Sequence, residues 1–148
     1  MRYLFVFLLA WSGLRAEVTA EFEAALQHHL DAIAHRDLGA FRASLTRGPV
    51  LYTIFQNGGA VTTPAETLAL HEEWFQDPNW SWEGEIIHQV VGSDLGFVLM
   101  KYQYRSTPED TPSTTWLTLV FQRLPDGSWH LVHDQNTLIT PELAGSAD

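Results

Sequence analysis

The chain has 148 residues, 45 % hydrophobic and 18 % charged, a size and composition that suit one domain around a single core and argue against disorder or a second domain. Its formal net charge of -10 at pH 7 repels nucleic acid and anionic lipid headgroups, both of which are bound by Lys/Arg clusters. Cysteine is absent, which excludes disulfides, thiolate metal sites, a cysteine nucleophile and lipid attachment through an N-terminal cysteine.

At the N-terminus Arg2 precedes an apolar run from Tyr3 to Trp11, followed by Ser12, Gly13, Leu14, Arg15 and Ala16. These lengths match a signal peptide, and the run is too short for a bilayer crossing, which takes ~20 apolar residues. Cleavage is expected after Ala16. Residues 1–16 then form a leader, 17–140 the domain and 141–148 a flexible tail, and the mature product is periplasmic or secreted, with no membrane partner. The same run also reads as a buried N-terminal helix.

From Glu17 the pattern turns helical: Val18, Phe22, Ala25, Leu26, His29 and Ile33 recur at three- and four-residue spacing on one stripe. Asp37 caps a short second helix carrying Leu38, Phe41 and Leu45, which Arg47-Gly48-Pro49 stops. Val50 to Phe55 reads as a strand, Asn57-Gly58-Gly59 as a turn, and Ala60 to Thr62 as a short return strand. Thr63-Pro64-Ala65-Glu66 has the form of a capping box with proline at the first helical position, opening a helix that runs to about Gln76. Strands follow over Trp80 to Val91, Gly96 to Arg105, Thr114 to Leu124 and Ser128 to Leu138, with short breaks that imply an antiparallel meander. Helices first and a meander last predict an α+β domain. Long strands with two partly apolar faces suggest a bent sheet that covers the helices on one side and packs against a second subunit on the other.

This order of elements resembles the nuclear transport factor 2-like superfamily, in its SnoaL-like and ketosteroid-isomerase-like branch, from about Val18 to Thr137. Three patterns carry the resemblance. They are the Arg36-Asp37-Leu38-Gly39-Ala40-Phe41 helix junction, the Gly58-Gly59 hairpin before a proline-started helix, and the closing strand Asp126-Gly127-Ser128-Trp129-His130-Leu131-Val132-His133-Asp134-Gln135-Asn136-Thr137. The resemblance implies a cone-like barrel, a strongly bent antiparallel sheet wrapped around about three N-terminal helices, enclosing a small-molecule pocket. It implies no activity, because the fold hosts isomerases, dehydratases, cyclases and oligomerisation modules alike.

Several residues could carry chemistry. His29 sits mid-stripe on the first helix, where the related isomerases aim a polar group into the cavity. The favoured reading is a buried histidine satisfied by backbone, with a hydrogen-bond donor or general acid/base as the functional one. Tyr102 and Tyr104 alternate with Val98 and Met100, opposite Lys101, Gln103 and Arg105, so these tyrosines are expected inward. Tyr52, Trp74, Trp82 and Trp116 are candidate aromatic lining or core packing. On the last strand Trp129, Leu131, His133, Gln135 and Thr137 share one parity, and His130, Val132, Asp134 and Asn136 the other. The resemblance places His133 and Gln135 on the cavity, with Asp134 the runner-up as a base, its pKa raised if it faces an apolar interior.

Ketosteroid isomerases keep an Asp base just after the second helix, but Leu45-Thr46-Arg47-Gly48-Pro49 has no carboxylate and departs from that design. No metal or other cofactor is implied: His71-Glu72-Glu73 begins like a zinc-protease helix, yet Phe75 stands where the second histidine belongs. The expectation is a pocket holding a small, mostly apolar molecule. The alternatives are a cofactor-free acid/base enzyme using His29, His133 or Asp134, or a dimerising interaction protein with a vestigial cavity.

Overall fold

In the computed structural model, residues 4–140 are described, with side chains from Arg15 onward. The elements are α1 (Leu4–Ala34), α2 (Leu38–Ser44), β1 (Tyr52–Ile54), β2 (Ala60–Val61), α3 (Pro64–Gln76), β3 (Ser81–Val91), β4 (Leu95–Arg105), β5 (Ser113–Arg123) and β6 (Trp129–Leu138). The backbone of α1 passes unbroken through Ala16, so the boundary expected between leader and domain falls inside a helix. The expected tail at 141–148 lies outside the described residues.

Local chemistry accounts for the helix ends. Helix α1 stops at Arg36, which takes a left-handed φ of 54°, while Asp37 N–H reaches back to the Ala32 carbonyl at 2.8 Å, the crossing bond of a Schellman close. Glycine is the usual occupant of such a position. Here the arginine is retained by its side chain: the guanidinium lies 4.0 Å over the Trp80 ring, and Nη2 donates to the Trp80 carbonyl at 2.7 Å. Asp37 caps α2 by accepting from Ala40 N–H at 2.9 Å. Thr63 and Glu66 form the reciprocal capping box that opens α3.

The sheet has strand order β2-β1-β6-β5-β4-β3. Strands β3 to β6 form the antiparallel meander, but β1 runs parallel to β6, pairing Tyr52 with His133 and Ile54 with Gln135. The sheet is therefore mixed, which corrects the all-antiparallel expectation. The cause lies just upstream. Where α2 ends, Leu45 makes a parallel bridge to Leu131 and Thr46 N–H donates to the Leu131 carbonyl at 2.9 Å. The chain thus enters the sheet already travelling alongside β6. Because α3 and four strands separate β1 from β6 in sequence, no tight turn dictates an antiparallel pairing.

Two ladder irregularities, at Ile86/His88 of β3 and at Val120/Phe121 opposite β6, are bulges of the kind that bend and twist a sheet. The concave face carries Val98, Met100, Leu117, Leu119, Phe121 and Leu131, all buried, and the helices fill it. Phe22 of α1 meets Phe121 and Trp129 edge-on, with centroids 5.8 and 5.2 Å away, and its ring lies where a side chain at Gly96 would stand. The architecture is α+β, three helices held in an open, curled sheet.

Candidate functional site

Strand β6 positions the site through its bulge. Phe121 pairs with Leu131 and Val120 with His133, so Val132 has no opposite residue in β5. One extra residue inverts the alternation. Before the bulge Trp129 and Leu131 point into the core. After it Asp134 and Asn136, opposite the inward Leu119 and Leu117, take over that face.

Beyond the packed end of the cone lies a cavity of about 330 Å³. Its walls are Phe55, Trp74, Trp82, Tyr102 and Tyr104, with Ile33, Leu70 and Leu117 between them. The polar lining is Thr53, Gln56, His71, Asp134 and Asn136. Three of these are tied together through Tyr102. Gln56 Nε2 donates to Tyr102 Oη at 3.3 Å, Tyr102 O–H donates to Asn136 Oδ1 at 2.8 Å, and Asn136 Nδ2 donates to Asp134 Oδ1 at 2.8 Å. The same Asn136 amide also donates to the Ile54 carbonyl at 3.2 Å. Trp74 Nε1 donates to Tyr104 Oη at 3.3 Å, so the Tyr104 hydroxyl keeps its own proton for whatever enters.

Electrostatics single out Asp134. Only 9 % exposed, its carboxyl is pushed up to about 7 by burial, against a smaller opposing effect of the Asn136 hydrogen bond. Among the described residues, Asn136 is its only side-chain hydrogen-bond donor. Burial lowers His71 to about 4. Its Nδ1–H donates to the Thr67 carbonyl at 2.8 Å and its ring stacks on Phe41 at 3.9 Å, so at neutral pH Nε2 is a lone-pair acceptor. Burial likewise pushes the Tyr102 phenol up.

The structure gathers some of the sequence candidates and disperses others. Trp74, Tyr102, Tyr104 and Asp134 line one cavity. His133 and Gln135, which the resemblance placed on the cavity, do not: they sit on the convex face, paired with Val120 and Thr118, because the Val132 bulge puts them out of phase with the inward Trp129 and Leu131. Tyr52 is 48 % exposed and pairs with His133 on that outer face, since its neighbour Thr53 turns inward to Thr67 at 2.9 Å. Trp116 also faces outward, beneath Lys101 with Nζ 5.7 Å from its ring centroid, while Thr115 and Leu117 take the inner face.

His29 is wholly buried but outside the cavity lining. Its Nδ1 lies 2.8 Å from Ser44 Oγ, whose proton is donated to the Phe41 carbonyl at 2.7 Å. Burial, helped by the nearby His71 and His28, lowers it to about 3. It is a neutral core histidine whose Nδ1 is met by a side chain rather than backbone, while its buried Nε2 has no hydrogen-bond partner among the described residues. Gln56 and Asn136 were not singled out from sequence; a turn glutamine carries no signal, and Asn136 needed the phase break at Val132.

No family model matches the chain and no curated protein matches it. Solved structures do. A candidate dehydratase of the NTF2-like family from Streptomyces avermitilis superposes with a TM-score of 0.70 at 15 % identity, covering 84 % of this chain and 97 % of its own. A ketosteroid isomerase-like protein from Erwinia carotovora atroseptica matches at 0.68 and 21 % identity, over 82 % and 96 %. The chain has the nuclear transport factor 2-like fold. An epoxide hydrolase of the LEH-like type from M. tuberculosis shares it at a TM-score of 0.61 and 16 % identity, over 81 % of this chain and 84 % of that one. At these identities the likeness concerns the NTF2-like fold alone, with the chemistry left to the residues inside.

Proposed function

We propose that the chain binds a small, mostly apolar molecule in the cavity, with that molecule's polar group against Asp134. The carrying observation is an aromatic-walled space of about 330 Å³ whose single buried carboxyl receives one hydrogen bond, from a neutral amide. Apolar walls with few convergent polar groups are the usual composition of a ligand site. Native mass spectrometry on protein purified from its own compartment tests this. A reproducible adduct, lost on Tyr102→Ala, is the expected result. A bare wild-type protein in repeated preparations sinks the reading.

One observation favours a second reading, a cofactor-free acid/base enzyme. A carboxyl at about 7 is matched to proton abstraction at neutral pH, and the free Tyr104 hydroxyl could donate to an oxygen that gains charge. Structural neighbours described as dehydratase, ketosteroid isomerase-like and epoxide hydrolase proteins are compatible with it. Once an adduct is identified, deuterium exchange into it at pH 7 should be fast with the wild type and near background with Asp134→Asn. Equal exchange in both leaves Asp134 as a binding group only.

Pairing of two copies through the convex sheet face belongs to the same proposal. Its support is the apolar exposure of Tyr52, Val90, Leu95 and Phe97. Sedimentation velocity reads it directly. The helices described include none long and apolar enough to cross a membrane, and export remains a proposal supported by the pattern of residues 1–16.

A further inference from the structure

We infer that the cavity is built for an organic cation, a small amine or quaternary ammonium ion whose apolar body lies among the aromatic rings and whose charge pairs with Asp134. This deepens the binding reading above and rests on it.

The first support is the kind of wall. Trp74, Trp82, Tyr102 and Tyr104 all face the same space, as two adjoining pairs: Trp82 with Tyr102 at 5.6 Å between centroids and Trp74 with Tyr104 at 6.1 Å. An aliphatic lining would enclose an apolar ligand equally well. Indole and phenol faces add a negative quadrupole that attracts a desolvated cation, worth about 2 kcal/mol or more when water is excluded.

The second support is a missing counter-charge. Asp134 sits at this cavity with no lysine or arginine among the residues lining it. The two ion pairs among the described residues, Arg47–Asp126 and Arg123–Glu21, lie elsewhere. A buried carboxylate without a cation is costly, and it adjusts by holding its proton. A cationic ligand supplies what is missing; an anionic one meets a like charge, and a neutral one leaves the carboxyl protonated or unpaired.

The other titratable groups facing the cavity are His71 from α3 and Tyr102 and Tyr104 from β4. None opposes the inference. Burial keeps His71 neutral at pH 7, so it neither repels a cation nor replaces one. The net charge of -10 steers cations towards the protein. The size also fits: about 330 Å³ is roughly twice an apolar cavity of ~150 Å³ that takes benzene, or room for about a dozen non-hydrogen atoms.

The test compares benzyltrimethylammonium with neopentylbenzene, its neutral isostere of the same non-hydrogen atom count, using the fluorescence of Trp74 and Trp82. At pH 8, with Asp134 ionised, the cation should bind at least about tenfold more tightly. At pH 5, where Asp134 is protonated and His71 still neutral, that preference should shrink at least about fivefold. Asp134→Asn at pH 8 should show the same loss, and the wild-type pH comparison stands by itself if that variant folds poorly. If the neutral isostere binds as tightly as the cation at pH 8, the cation inference fails while the binding reading survives. If neither probe binds, both fail.

Discussion

Leu119 stands opposite Asp134 on the same face of the β5–β6 ladder that carries Phe121 opposite Leu131. The step from one pair to the other is two residues in β5 and three in β6. Deleting Val132 would restore strict alternation and leave Asp134 inward, whereas in an unbulged strand a deletion turns every later residue over. The expected outcome for the Val132 deletion is an Asp134 carboxyl still titrating well above the ordinary 3.8, read by carboxyl-carbon NMR. A drop to about 4 would show that the bulge does not set the phase.

Asp134 should make the protein less stable as pH rises. Its unfolded value is 3.8 and its folded value about 7, so below pH 3.8 both states hold the proton and the group contributes no difference. Between these values the unfolded chain releases the proton and the folded one keeps it. Stability is lost across that window, by about 4 kcal/mol once pH exceeds 7. Asp134→Asn should therefore unfold at higher urea than the wild type at pH 8 and at nearly equal urea at pH 4. A variant weaker at pH 8 would mean that the carboxylate is compensated within the folded chain.

His29 acts in the opposite direction. Its folded value of about 3 lies below the unfolded 6.5, so its full contribution is present above 6.5 and falls away as pH drops towards 3. Between pH 7 and pH 5 this amounts to about 2 kcal/mol. His29→Leu should flatten the acid limb by about that amount, because Ser44 keeps its bond to the Phe41 carbonyl at 2.7 Å and leucine fits an apolar site. Chemical denaturation at the two pH values checks it. His71, lowered to about 4, should maintain a residual slope in the variant.

Gly96 admits Phe22 to the core. A methyl group there would overlap the Phe22 ring, which is itself fully buried between Phe121 and Trp129. Gly96→Ala should cost about 1–3 kcal/mol of stability through overpacking, seen as a lower urea midpoint with an unchanged slope. Phe22→Leu in the Gly96→Ala background should recover part of it, since the smaller side chain vacates the contested space.

Much of this was readable along the chain because it is local. The Thr63–Glu66 box, the Asp37 cap and the stripe through Phe22, Leu26 and His29 act over one or two helical turns, and the structure keeps them. The inward set of β4, from Val98 to Tyr104, follows from simple alternation, because no bulge interrupts β4 between those residues. The parallel docking of β1 was not readable, since it depends on Leu45 and Thr46 meeting Leu131 from far away in sequence.

The same division applies to the wrapped domain and its pocket. Periodicity and capping by themselves determined three helices and a long-stranded meander, because each rests on contacts between near neighbours. Tertiary structure alone decided which face of β6 meets the cavity. Alternation has a period of two, so the unpaired Val132 exchanged His133 and Gln135 for Asp134 and Asn136, and only pairing with β5 reveals it. With that exchange β6 brings a buried carboxyl, rather than a histidine, to the cavity wall.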